Sequence, residues 1–162
     1  ITNKINKSKN YKLQISYDFN ELILKKFHKL IESNLLEKYN KKPTHSYNEL
    51  LFLLNTFKEN IKLITVSYKG TIIAGCLLFI NKLSLHTQYL ATNKHGRSLN
   101  GIEYIIYNLI LEYKNKKKYL SFGISSEDNG KLLNEKLFEF KSKFRSKLIL
   151  NETFEININS EN

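Results

Sequence analysis

Residues 93–98, Asn-Lys-His-Gly-Arg-Ser, place cations, a glycine and small polar side chains between a strand-like run ending at Thr92 and an apolar-periodic run from Ile102. A helix N-terminus carries unpaired N–H groups and a partial positive charge, so a strand-to-helix turn of this make-up can hold a phosphate. Gly96 would let the backbone approach the anion, Lys94 and Arg97 would add charge, and Ser98 or Asn100 would cap the helix. Three residues nearby in the pattern could move a proton. His86 lies in the strand-like run, and an imidazole with a pKa near about 6.5 suits proton removal at neutral pH. Glu127 lies just past the C-terminal end of a later strand-like run, where ligands gather in α/β sheets. His45 follows Pro43 in a loop between two helical patterns and can meet a substrate or cap the helix that Ser46 opens. The three stand as alternatives for a general base. Regular alternation would place His86 and Gln88 on one face of their strand, opposite Leu85 and Thr87.

Several chemistries are excluded. The lone cysteine, Cys76, sits in the apolar run "IIAGCLLFI" with no polar activator, which reads as a buried structural thiol and rules out an internal disulfide. His28, His45, His86 and His95 are dispersed without ligand spacing, so no metal is expected. No Ser-His-acid set has motif support. The net charge is +11, yet Arg97 and Arg145 are the only arginines, and base readout leans on arginine. Sequence-specific nucleic-acid binding is therefore not expected, while an anionic cofactor or a phosphate backbone such as that of tRNA fits the charge. No run approaches the roughly 18 apolar residues of a membrane span, and the Lys/Asn-rich start lacks a signal-peptide core, so a soluble, cytoplasmic protein is expected.

The elements that must position these residues follow from periodicity. Residues 11–17 alternate as a strand, and Asp18 with Glu21 suggests an N-cap for a helix carrying Leu22, Ile23, Phe27, Leu30, Ile31 and Leu35. Ser46 with Glu49 opens a second helix, through Phe57. Residues 61–92 read as three strands joined by tight turns at Lys69-Gly70 and Asn81-Lys82. A helix over 98–114, a central strand over 117–125, a helix over 129–143 and two last strands around Asn151-Glu152 complete the order β-α-α-β-β-β-α-β-α-β-β. Residues 1–10 and the last four look disordered or linker-like, leaving one domain over 11–158. The expected class is mixed α+β, with a central, mostly antiparallel sheet of about seven strands and helices on both faces.

This order resembles the GNAT acyltransferase fold, in which the fourth strand runs into a pyrophosphate-binding loop and helix. Asn93-x-x-Gly96-x-Ser98 is similar to the family's Gln/Arg-x-x-Gly-x-Gly/Ala, with Asn at its first position and Ser in place of the second glycine. Over residues 38–150 the chain further resembles the FemAB-like acetyltransferase branch. Its motifs match, in order, Pro43-Thr44-His45-Ser46, His86-Thr87-Gln88-Tyr89, Phe122-Gly123-Ile124-Ser125, and Leu133-Asn134 through Lys141. Ser121 stands where the branch usually has Asp, and "KFRSK" replaces a glycine-rich "GFGAR".

The resemblance implies an N-acyltransferase that uses acetyl-CoA or another acyl-CoA and no metal, and a small primary amine as acceptor, amino sugars included. It further implies that the backbone of Tyr89, Leu90 and Ala91 pairs with the pantetheine arm and that Gly96, Arg97 and Ser98 receive the pyrophosphate. Asn134 would touch the arm from the other side. Lys141, where general members carry Tyr, would steady the leaving thiolate beside His86 or Glu127 as base. His45, Gln88 and Ser125 would hold the acceptor. FemAB-like aminoacyl transfer from charged tRNA and a non-catalytic binding module are the alternatives. Relatives in the branch often carry a further N-terminal half, so pairing with such a half, or as a homodimer, is expected.

Overall fold

The computed structural model describes residues 2–150 and 156. Five strands, β1 (Gln14–Ser16), β2 (Ile61–Tyr68), β3 (Thr71–Ile80), β4 (Ser84–Thr92) and β5 (Tyr119–Ser121), form a sheet in that order. Neighbours are antiparallel except β4 and β5, which run parallel. The β2–β3 turn is where the sequence puts it. Lys69 and Gly70 both take positive φ (48° and 77°), the left-handed pair that a two-residue hairpin needs to match the strand twist. The next connection is one residue longer than expected, with Asn81 N–H donating to the Ser84 carbonyl.

The nearly unbroken apolar run of β3 follows from helices covering both faces. The helices of this part are α1 (Thr2–Asn10), α2 (Glu21–Tyr39), α3 (Tyr47–Thr56), α4 (Lys94–Ser98) and α5 (Gly101–Tyr113). Consecutive β3 residues point to opposite faces. A Cβ on Gly75 would come within 2.5 Å of the Phe27 ring of α2, whereas Ala74 meets Gly101 of α5, where a Cβ would lie 2.8 Å away. Leu24, Phe27 and Ile31 of α2, Leu50 and Leu54 of α3, and Leu63, Leu77 and Ala91 of the sheet make one buried cluster on the first face. Burying such aliphatic and aromatic side chains contributes about 1.5–3 kcal/mol each, and this fixes α2 over β4 and β3 and α3 over β2.

Several boundaries differ from expectation. Asn20, not Asp18, caps α2, its Oδ1 accepting from Ile23 N–H at 2.9 Å, because the helix begins at Glu21, three residues beyond Asp18. Ser46 and Glu49 do form the expected capping box on α3. The start, expected to be disordered, forms α1. Ile5 is buried there, and Ser8 Oγ donates to the Leu99 carbonyl at 3.0 Å, so packing beside α5 overrides a polar composition. The helix expected over 98–114 runs from Gly101 to Tyr113, and the short α4 precedes it, set off by Asn100 with φ 57°.

The chain divides into two compact units, Ile1–Ile124 and Ser125–Asn162. The second unit contains a hairpin of β6 (Ser126–Glu127) and β7 (Leu132–Leu133), followed by α6 (Glu135–Ser142). The helix expected from 129 thus starts six residues later. Asp128, Asn129 and Gly130 all take positive φ and make the hairpin turn instead. Of the two last expected strands, residues 146–150 carry no strand, and most of the remainder lies outside the described residues. The observed class is mixed α+β with a central, mostly antiparallel sheet, and its strand count differs from about seven in a row.

Candidate active site where β4 and β5 part

The parallel ladder between β4 and β5 has three rungs, Ser84–Tyr119, Leu85–Leu120 and His86–Ser121. β5 ends at Ser121, while β4 continues for six residues to Thr92. From Thr87 onward β4 therefore has no strand on its β5 side among the described residues. Asn93 N–H donates inward to the Ile73 carbonyl of β3. Thr92 uses its N–H and C=O in the other direction, on Asn34 of α2, at 3.1 and 2.7 Å. Because peptide groups alternate sides along a strand, Leu90 presents its N–H and C=O to the same open edge. An extended amide-bearing chain could pair there, between the Asn34 clamp and His86.

His86 stands at the apex of the divergence. It is half-buried, its Nδ1 lies 3.1 Å from Ser121 Oγ, and that hydroxyl also accepts from Gly123 N–H at 3.2 Å. The expected pairing of His86 with Gln88 on one strand face is corrected by a β-bulge. Leu78 faces Thr87 and Leu77 faces Tyr89, so Gln88 is the extra residue without a partner on β3. Opposed residues share a sheet face, and His86 opposes Phe79. One extra residue shifts the later alternation, so Tyr89 and Ala91 join His86 and Phe79 on the face covered by α2 and α3.

The bulge brings Tyr89 to His45. The Tyr89 hydroxyl accepts from His45 backbone N–H at 3.3 Å and is hydrogen-bonded to His45 Nδ1 at 2.9 Å, with the two rings edge-to-face at 5.8 Å. The His45 carbonyl in turn lies 3.2 Å from His28 Nε2 of α2. The loop between α2 and α3 is thus pinned to β4 and to α2 through one histidine. Beyond it opens a groove of about 1250 Å³ whose walls include Leu22, Lys25, His28, Pro43, His45 and Glu49. Capping holds the Glu49 carboxyl below the usual range, through hydrogen bonds from the Ser46 backbone and side chain.

The turn at 93–98 is committed to itself more than the sequence suggested. Asn93 caps α4, its Oδ1 taking the Gly96 N–H at 2.7 Å. Gly96 is buried against β3, where a Cβ would overlap the Ile73 carbonyl oxygen and the Thr92 hydroxyl. Close packing thus accounts for a glycine there. Arg97 reaches back to Glu37 of α2 at 3.4 Å and to the Thr92 carbonyl at 3.3 Å, and Ser98 Oγ donates to the His95 carbonyl. Asn100 makes no side-chain cap. The Lys94 and His95 amides are the first-turn donors left for an anion.

In the second unit, Glu127, Asn134 and Ser125 come together. Asn134 caps α6 through Leu137 N–H at 2.9 Å, donates from Nδ2 to Glu127 Oε1 at 2.6 Å, and gives its backbone N–H to the Ser125 carbonyl at 2.8 Å. Lys141 is buried on α6, and desolvation lowers its ammonium pKa. Cys76 is fully buried, which pushes its thiol up and leaves it inert, as read from sequence. Among the described residues no group of His, Cys, Asp and Glu gathers to hold a metal, and no helix is long and apolar enough to cross a membrane. Sequence reasoning missed Asn34 and the bonding of Ser121. A buried asparagine in the helical pattern is the one signal for the first, and nothing in residue type announces the second.

No protein-family model matches the chain, and no curated protein matches it in sequence. Solved structures do match in fold. An acetyltransferase of Trypanosoma brucei is 17% identical with a TM-score of 0.62, over 90% of this chain and 99% of its own. An aminoglycoside acetyltransferase from an uncultured soil metagenomic sample, solved with sisomicin, is 14% identical with a TM-score of 0.60, over 92% and 99%. FemX is 9% identical with a TM-score of 0.66, and 85% of this chain covers 51% of it. At these identities the likeness is one of fold, and the fold is the one seen in GNAT acetyltransferases.

Proposed function

We propose that the protein is an N-acyltransferase that moves an acyl group from a CoA thioester to a primary amine, with amino sugars the first acceptors to try. The observation that carries this is the parting of β4 from β5 directly after the His86–Ser121 rung. It leaves the Leu90 peptide groups open to pair with the amides of a pantetheine arm. The likeness in fold to acetyltransferases, one of them solved with an aminoglycoside, supports the choice of donor and acceptor. In such a transfer the amine nitrogen bonds to the thioester carbon and the carbonyl oxygen gains charge. The C–S bond then breaks, and the amine proton passes to a base. Tyr89, Leu90 and Ala91 would hold the arm and the Lys94–Ser98 turn the pyrophosphate. His45 and Gln88 would meet the acceptor.

A second reading, aminoacyl transfer from charged tRNA, is favoured by a different observation. The Gly96 amide and the Arg97 guanidinium are satisfied internally, which weakens a pyrophosphate cradle. The test is thermal unfolding with acetyl-CoA and desulfo-CoA, with ATP as control. A ligand at about 100 times its Kd stabilises by about 2.7 kcal/mol, a rise in Tm of roughly 5–10 °C for a chain of this length. A shift with both CoA compounds and none with ATP is expected. No shift with either, together with salt-dependent tRNA binding, would replace the first reading by the second.

A further inference from the structure

The turn Ser121-Phe122-Gly123 wraps one edge of the His86 imidazole. Gly123 N–H can only donate, and it donates to Ser121 Oγ at 3.2 Å. A serine hydroxyl has two lone pairs and one proton. With one lone pair given to Gly123, the proton has a well-placed acceptor in His86 Nδ1, 3.1 Å away. The other edge of the ring is left uncovered by Gly123, where a Cβ would lie 3.3 Å from Cε1 and 3.9 Å from Nε2. The tautomer of a neutral histidine is set by the hydrogen bond at its other nitrogen.

The geometry points to Ser121 as a positioning residue that holds neutral His86 in its Nε2–H tautomer, so that the ring offers the cleft a hydrogen-bond donor and not a base. A carboxylate at position 121 can only accept, so it would impose the opposite form, with the proton on Nδ1 and a basic lone pair on Nε2. The residue at 121 thereby decides between two chemistries of the same imidazole. The consequence for catalysis rests on the acyl-transfer reading. As the amine nitrogen bonds to the thioester carbon, the carbonyl π electrons move to oxygen, and His86 Nε2–H donates to that oxyanion. The C–S bond then breaks and the thiolate departs. The amine proton goes to a base other than His86, for which His45 remains in the same unit.

The tautomer is read directly by long-range proton–nitrogen NMR on the ¹⁵N-labelled full chain at about pH 8, above the ordinary imidazole titration. The His86 signals are assigned by their loss in His86→Gln. Expected are a bare Nδ1 and a protonated Nε2 in the wild type, with the two exchanged in Ser121→Asp. A protonated Nδ1 in the wild type overturns the inference, whether or not the variant folds and whether or not the protein transfers acyl groups. Turnover supplies the second readout. His86→Ala should lower kcat by about 10²–10³-fold, the usual cost of one oxyanion donor. His86→Gln, which keeps an N–H near the same place, should recover most of that. Equal losses in both variants would overturn the donor role. A wild type with no turnover on any amine, yet with the expected tautomer, would count against the acyl-transfer reading alone.

Discussion

Replacing Gly96 by alanine separates two accounts of the 93–98 turn. If the glycine serves a ligand, the added methyl costs affinity and leaves the fold intact. The structure assigns the cost to folding. A Cβ at this position would overlap the Ile73 carbonyl oxygen and the Thr92 hydroxyl, and would lie 2.9 Å from the Ile73 carbonyl carbon. Two of the three are backbone atoms of a central strand, so α4 must lift away. Lifting strains or breaks the bonds that Asn93 N–H and Thr92 Oγ give to that same carbonyl, at 3.1 and 3.0 Å. Overpacking costs about 1–3 kcal/mol. Each hydrogen bond is worth about 0.5–1.5 kcal/mol net, and the gain from alanine in a helical position offsets about 1 kcal/mol. The balance is a loss of about 3 kcal/mol, a fall in Tm of roughly 6–12 °C for a chain of this length. Differential scanning calorimetry without ligand measures it. Wild-type stability in Gly96→Ala, accompanied by lost CoA affinity, would refute the packing account and restore the glycine to the ligand.

Three further outcomes are expected. Tyr89→Phe removes the hydroxyl that holds His45 by its backbone and its ring, so urea unfolding should show a loss of about 1–2 kcal/mol. Its KM for the amine should rise more than its kcat falls, and an unchanged KM would detach the α2–α3 loop from acceptor binding. Asn34→Ala orphans the buried Thr92 N–H and leaves the Thr92 carbonyl to Arg97 alone, costing roughly 1–3 kcal/mol in chemical unfolding and speeding hydrogen exchange at the Thr92 amide. Lys141 carries an ammonium whose pKa is lowered by burial, so between that lowered value and the ordinary lysine pKa near about 10.4 the folded chain binds fewer protons than the unfolded one. Stability must then rise with pH across the window, and wild type should gain on Lys141→Met as the pH is raised toward about 10.4; a constant difference would refute the shift.

What could be read from the sequence was what residue type and spacing decide locally. Lys69-Gly70 made its turn, Ser46 and Glu49 made their box, and the apolar spacing of α2 placed Phe27 and Ile31 in the core. Asp128-Asn129-Gly130 was also legible, since these residue types favour turns and tolerate positive φ, although the expected helix was drawn from 129. The site was less accessible for a physical reason. Asn93, Gly96, Arg97 and Ser98 are residue types that suit an anion and equally suit a helix cap, a close approach, an ion pair and a closed turn. Composition does not say which way a polar group faces, and here three of the four side chains face their own fold while Gly96 packs on β3. The bulge at Gln88 has no glycine to announce it, yet one unpaired residue carried Tyr89 to the face of His86. The open edge of β4 arises from a strand that stops early, and no residue type encodes a missing neighbour. The chemistry at His86 turns on the same point. Histidine alone names a group that can donate or accept, and only the hydroxyl beside it, already holding the Gly123 amide, distinguishes the two.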